Sequence, residues 1–168
     1  MSKPRNSTGL ADITAEEQLE ALYNRPGFLI RRAHQIAQAL FEEEAEGVGL
    51  TASQMGALTV VHARQPLDQI GLARAMGIDR STAGLVLSNL AQHGYIKRVS
   101  DPDDRRRKLV TITDVGLEAL RGVQPAALAV KARLLAIFTQ EEADDLMRLL
   151  KKLVNAMNTE VRTPLFRD

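Results

Sequence analysis

The chain has 168 residues, 45% of them apolar and 26% charged, with a net charge of +1; this excludes a disordered chain and leaves room for one domain with a real hydrophobic core. Cysteine is absent, which excludes disulfides, thiolate metal sites and thiol redox chemistry. No run approaches the roughly 18 apolar residues of a membrane span and no signal-peptide core opens the chain, so the expectation is a cytoplasmic protein with no membrane partner.

Residues 1–13, polar with a Pro and a Gly, are expected to form a flexible tail. Thr14-Ala-Glu-Glu17 has the form of a capping box and should start a short helix, interrupted at Pro26-Gly27. From Phe28 to about Glu46 the residues favour helix, with Ile30, Ala33, Ala37, Leu40 and Phe41 at helical spacing, and Gly47 and Gly49 end it. Thr51-Ala-Ser-Gln54 is a second capping box, opening a helix through Met55, Leu58, Thr59 and His62 that stops before Pro66. Asp68 can cap a short third helix that Gly77 closes, and Asp79 a fourth that Gly94 terminates. In the fourth, Ala83, Val86, Leu87 and Leu90 form a one-sided apolar stripe.

The period then changes. Tyr95–Val99 and Leu109–Ile112 are short and rich in β-branched or aromatic residues, and they flank the charged, turn-forming insert Asp101–Lys108, which predicts a β-hairpin with a basic tip. Thr113 can cap a fifth helix from Asp114 to about Phe138, which Pro125 should kink or break. Thr139-Gln-Glu-Glu142 is a third capping box, and the helix it opens repeats Leu146, Leu149, Leu150, Leu153 and Met157 on one face. The predicted fold class is mainly α with a small β-hairpin wing: a winged helix-turn-helix over residues 51–113, between helical arms at 14–50 and 114–168.

Charge divides unevenly along the chain. Residues 51–113 hold 9 Lys+Arg against 5 Asp+Glu, whereas residues 1–50 hold 5 against 8 and residues 114–168 hold 8 against 8. A basic centre in a near-neutral protein is a footprint of phosphate binding. On the fourth helix, the face opposite the stripe displays Ser81, Gly84, Leu85 and Ser88, with Arg80 and Thr82 at its start, and there is no Asp or Glu from Arg80 to Leu90. A helix that enters the DNA major groove must be slim, free of acid and furnished with hydroxyls and cations at its first turns. A helix that merely packs elsewhere would explain that face equally well, but directly after it come Arg105, Arg106, Arg107 and Lys108 on a hairpin tip. Arginine suits a narrow minor groove. Asp103 and Asp104 could orient the tip arginines through bidentate pairs. The conjunction favours double-stranded DNA as the partner.

Residues 50–116, about 40% of the chain, resemble the MarR family of bacterial transcriptional regulators. The resemblance rests on LARAMGIDRST, on the GYIKR junction between helix and strand, and on the wing DPDDRRRKLVTIT. It implies a homodimer formed through both helical arms, usually a repressor, bound to an inverted-repeat operator. It implies that Arg106 enters the minor groove with Asp104 as its supporting partner. Many members read roughly D-R-S-T-V-T-R in the recognition helix; here Gly84 and Leu85 stand in the last two places, so the usual arginine contact does not carry over and readout should fall on Arg80, Ser81, Thr82 and Ser88.

The family commonly binds a small aromatic or lipophilic anion between its dimerisation helices and its DNA-binding lobe. The candidate effector-binding residues are Arg31, Arg32, His34 and Gln38 on the first long helix, and Met55 and His62 on the one after it. Each of these also has an ordinary structural reading, as a surface ion pair or a core side chain. The segment RPGFLIRRAHQIAQALFEEE is similar to a subset controlling aromatic-acid degradation, some of whose members answer to aromatic acyl-CoA thioesters; thioester phosphates would suit the paired arginines. Catalysis is not expected, since His34, His62 and His93 lie on separate elements and no HExxH, P-loop or GxGxxG pattern occurs. No cofactor is expected. The alternatives are a winged helix that docks a protein and a metal-responsive regulator, though no close ligand spacing supports a metal.

Overall fold

The computed structural model describes residues 13–104 and 106–166. They fold into nine elements: α1 (Ala15–Tyr23), α2 (Pro26–Glu44), α3 (Ala52–Arg64), α4 (Gln69–Met76), α5 (Arg80–Gln92), β1 (Ile96–Ser100), β2 (Lys108–Ile112), α6 (Asp114–Leu135) and α7 (Gln140–Met157). The sequence-predicted fold class is the observed one. None of the described helices is long and apolar enough to cross a membrane. Two compact units divide within α2, at Ala39/Leu40.

In the first unit, Thr14 caps α1 and Glu17 reaches back to the Thr14 amide at 2.8 Å, the reciprocal pair read from the sequence. No residue of α1 is buried. α1 ends at Tyr23, before the expected break, and α2 begins at Pro26 and not at Phe28: Leu29 donates its amide to the Arg25 carbonyl, so Pro26 stands in the first helical turn, where its missing N–H costs nothing. Phe28 lies 5.3 Å from Tyr23 and beneath the Arg31 guanidinium.

In the second unit, a single core gathers Phe41 from the end of α2 and Ala45 just beyond it, Ala57, Leu58 and Val61 from α3, Leu72 and Ala73 from α4, Ala83, Leu87 and Leu90 from α5, Ile96, Val110 and Ile112 from the hairpin, and Leu120, Val123, Ala126 and Val130 from α6. Leu58, Leu72, Leu87 and Leu90 are fully buried, each removing enough apolar surface from water to contribute about 2 kcal/mol. Along α3, Thr59 and His62 are exposed, and Ala57, Leu58 and Val61 fill the core. Arg133 of α6 pairs with Glu44 at 2.8 Å and Glu43 at 3.1 Å, fastening the end of α2.

β1 and β2 pair antiparallel from Ile96↔Ile112 to Ser100↔Lys108. On the other edge of β2, Val110 exchanges both backbone hydrogen bonds with Leu67, and Gln65 accepts from the Ile112 amide at 2.9 Å, so the segment before α4 acts as a third strand. Pro125 does not break α6, which runs through it to Leu135. The carbonyl it leaves unbonded belongs to Arg121, and both residues are exposed, so water can take the place of the lost bond. Beyond α7 the chain folds back onto the turn between α4 and α5. Asn158 holds both backbone groups of Leu165, Thr163 donates to the Gly77 carbonyl at 3.1 Å, and the Phe166 amide donates to the Arg74 carbonyl at 2.9 Å.

Candidate nucleic-acid interface

α5 is placed by two caps and two amide clamps. Gly77 ends α4 at φ 64°, the left-handed conformation that lets the chain turn sharply toward α5. Asp79 then caps α5, accepting from the Thr82 hydroxyl at 2.6 Å and from its amide at 2.9 Å. Those two hydrogen bonds, the hydroxyl's first, hold the Asp79 carboxyl below the usual carboxylate range. Gln54, whose carbonyl completes the capping box of α3, donates to Asn89 of α5. Gln69 donates to the Arg80 carbonyl at 2.7 Å. With Ala83, Leu87 and Leu90 in the core, the opposite face is fixed.

That face carries Arg80, Ser81, Thr82, Leu85 and Ser88, all exposed, with Leu85 at 73%. Gly84 is half-buried under the Gln69 carboxamide: a Cβ there would lie 2.7 Å from Nε2. The space opened by its missing side chain is therefore filled from α4.

The wing is braced differently from the sequence expectation. Arg105 lies outside the described residues. Arg107 is tied down, its Nε donating to Asp68 at 2.6 Å and its Nη1 lying 3.5 Å from Asp101, which is only 7% exposed. Burial disfavours the charged form of Asp68, but the Gly71 amide and the Arg107 guanidinium outweigh it and hold the carboxyl below its ordinary value. The same Asp68 hydrogen bond raises the Arg107 pKa. Asp68 is thus both the cap of α4, accepting from Gly71 at 2.7 Å, and the anchor of the wing.

The bidentate pairs expected of Asp103 and Asp104 do not form among the described residues. Asp104 accepts from the Arg106 backbone amide at 3.0 Å, shaping the turn, and Asp103 donates its own amide to Asp101. The short aspartate side chain bonds its neighbouring backbone, as it does in tight turns. Arg106 is exposed, and Lys108, in β2 and not on the tip, reaches Ser100 at 2.7 Å. Sequence reasoning misses Asp68, Gln54 and Gln69 as parts of this surface; Asp68 reads from the sequence only as a cap, because its wing partner lies 39 residues away.

Of the candidate effector residues, Arg31, Arg32, His34 and Gln38 are exposed on α2 in the first unit, with Arg31 stacked over Phe28. In the second unit Met55 is half-buried against the core and His62 is exposed. Among the described residues no group of three His, Asp or Glu could hold a metal ion.

The MarR family model matches residues 50–108, from the residue before the α3 cap to the start of β2. The chain is 31% identical over 158 residues to a putative transcriptional regulatory protein for the hcr operon of Thauera aromatica, covering 91% of this chain and 92% of that one. It is similar in structure to a probable transcriptional regulator from Pseudomonas aeruginosa, with TM-score 0.74 and 36% identity over 79% of this chain and 98% of that chain. It is also similar to BpsR of Bordetella bronchiseptica, whose DNA binding is regulated by 6-hydroxynicotinic acid, with TM-score 0.73, 27% identity, and 78% and 94% of the two chains covered. A relative aligned over nine-tenths of the chain and the helix-turn-helix with its braced wing agree: this chain belongs to the MarR family of transcriptional regulators.

Proposed function

We propose that the protein is a ligand-responsive repressor that binds an inverted-repeat operator as a homodimer. The observation that carries this reading is the exposed, acid-free face of α5 beside a wing that exposes Arg106 and is anchored through Arg107 on Asp68 and Asp101. In this reading α5 enters the major groove with Arg80, Ser81, Thr82, Gly84, Leu85 and Ser88, and the wing enters the minor groove with Arg105 and Arg106 while Arg107 and Lys108 approach phosphates. The 51–113 lobe then binds DNA, and the arms at 14–50 and 114–168 join two copies. Exposed apolar side chains support the arms' role: Leu19 and Leu22 on α1, Leu128 on α6, and Leu149, Leu150, Leu153 and Met157 on α7.

The effector in this account is a small aromatic acid or its CoA thioester; its candidate contacts are Arg31, Arg32, His34 and Gln38 of α2 in the first unit, and, taken separately, Met55 and His62 of α3 in the second. The regulation of BpsR by an aromatic acid supports the class, and the exposed arginines supply the cations an anion needs. Such a ligand releases DNA only if it prefers the dimer whose recognition helices are wrongly spaced, because equal affinity for both forms shifts nothing.

The test is fluorescence anisotropy on a duplex from the intergenic DNA beside the protein's own gene, at several salt concentrations and with aromatic acids and their CoA thioesters. Tight, salt-steep binding that one ligand abolishes is the expected result. Binding no better than to random DNA overturns the reading.

A further inference from the structure

The surface that α5 offers is not made by α5 alone. Gln69, the first residue of α4, lies across the gap at Gly84 with Nε2 donating to the Arg80 carbonyl at 2.7 Å. That carbonyl belongs to the first turn of α5, where a recognition helix meets base edges. The contact fixes the plane of the carboxamide and uses one of its two N–H groups. The other N–H and Oε1 remain. Gln69 Oε1 has no hydrogen-bond partner among the described residues and is not fully buried, since the one buried side-chain polar atom without a partner there is Thr111 Oγ1.

An oriented carboxamide with an adjacent free donor and acceptor is the group that pairs bidentately with adenine N7 and N6 in the major groove. We propose that Gln69 is a base-reading, specificity-determining residue, admitted to the recognition surface by Gly84, and that it selects an A·T pair within each half-site. The proposal rests on the DNA-binding reading above. Because Gln69 is uncharged, its contribution should sit in sequence discrimination and leave counterion release untouched.

Anisotropy titrations of wild type, Gln69→Ala, Gly84→Ala and the double variant, each on operator and on random duplex, test it, with thermal melts confirming that each variant is folded. Gln69→Ala is expected to weaken operator binding about tenfold, with random-duplex affinity and salt slope unchanged. Gly84→Ala should lose a similar factor, since its Cβ displaces the carboxamide, and the double variant should be no worse than either. Replacing one adenine at a time by 7-deazaadenine should find a position that weakens wild type and leaves Gln69→Ala unaffected. An equal loss on both duplexes would make Gln69 a backbone contact and overturn the proposal, as would no loss at all. Wild type that fails to prefer operator over random DNA would instead strike the underlying DNA-binding reading, before any variant is compared.

Discussion

Two glycines of α6, six residues apart, should respond oppositely to the same substitution. Gly116 is buried at the first turn, and an added Cβ would stand 2.0 Å from the Tyr95 carbonyl oxygen and 2.9 Å from Ile112 Cγ1. The helix start would have to retreat by about 1 Å to reach even a 3 Å contact. That movement pulls on the bond from the Thr113 amide to the Tyr95 carbonyl (3.0 Å) and on the bond from the Thr113 hydroxyl to Gly94 (2.6 Å). Overpacking at about 1–3 kcal/mol plus one hydrogen bond at about 1 kcal/mol puts Gly116→Ala near 3 kcal/mol destabilising. Gly122, exposed in mid-helix with nothing within 4 Å of a built Cβ, should gain about 1 kcal/mol as alanine. Urea unfolding followed by circular dichroism, at one protein concentration because a dimer's stability depends on it, measures both. Effects of the same sign, or Gly116→Ala within about 1 kcal/mol of wild type, would refute the packing argument.

Asp68 separates two roles: Asp68→Ala should cost about 1 kcal/mol through the lost cap besides losing the charge that holds Arg107, whereas Asp68→Asn keeps a good cap and loses only that charge, so its amide exchange should rise across the wing, residues 101–108, with a smaller loss of stability than Asp68→Ala. Because the folded Asp68 carboxyl is depressed, its contribution is fully present above the unfolded value of about 3.9 and is lost as pH falls through the lower folded value; the stability gap between wild type and Asp68→Asn should be flat from neutral pH to about 5 and close in stronger acid, and a gap unchanged in acid contradicts the pairing. Arg106→Ala should weaken binding to every DNA sequence and lower the salt slope by about one; an unchanged slope removes Arg106 from the interface. Leu153→Glu on the exposed face of α7 should leave monomers in sedimentation velocity, and an undisturbed dimer would move the interface elsewhere.

The sequence is legible where the physics is local. Thr14, Thr51, Asp68, Asp79, Thr113 and Thr139 all cap the helices expected of them, because the cap residue and its amide partner sit three residues apart. The hairpin and the stripe of α5 were equally legible. What the pattern hid was long-range or permissive. Pro125 carries a rule against helix interiors, yet exposure of the Arg121 carbonyl relaxes it. The grip of Asp68 on Arg107 spans 39 residues, and the fit of Gln69 over Gly84 depends on the crossing of α4 and α5. The wing aspartates looked like guanidinium partners by charge, but their short side chains reach the turn backbone first.

Amide hydrogen exchange of the protein with and without its operator duplex tests the central claim most directly, because it shows which backbone the DNA covers. The account predicts new protection confined to residues 68–71, the first three turns of α5 and the wing from 101 to 108, with α7 unchanged. Protection centred on α1 or α7, with α5 and the wing still exchanging freely, would contradict it.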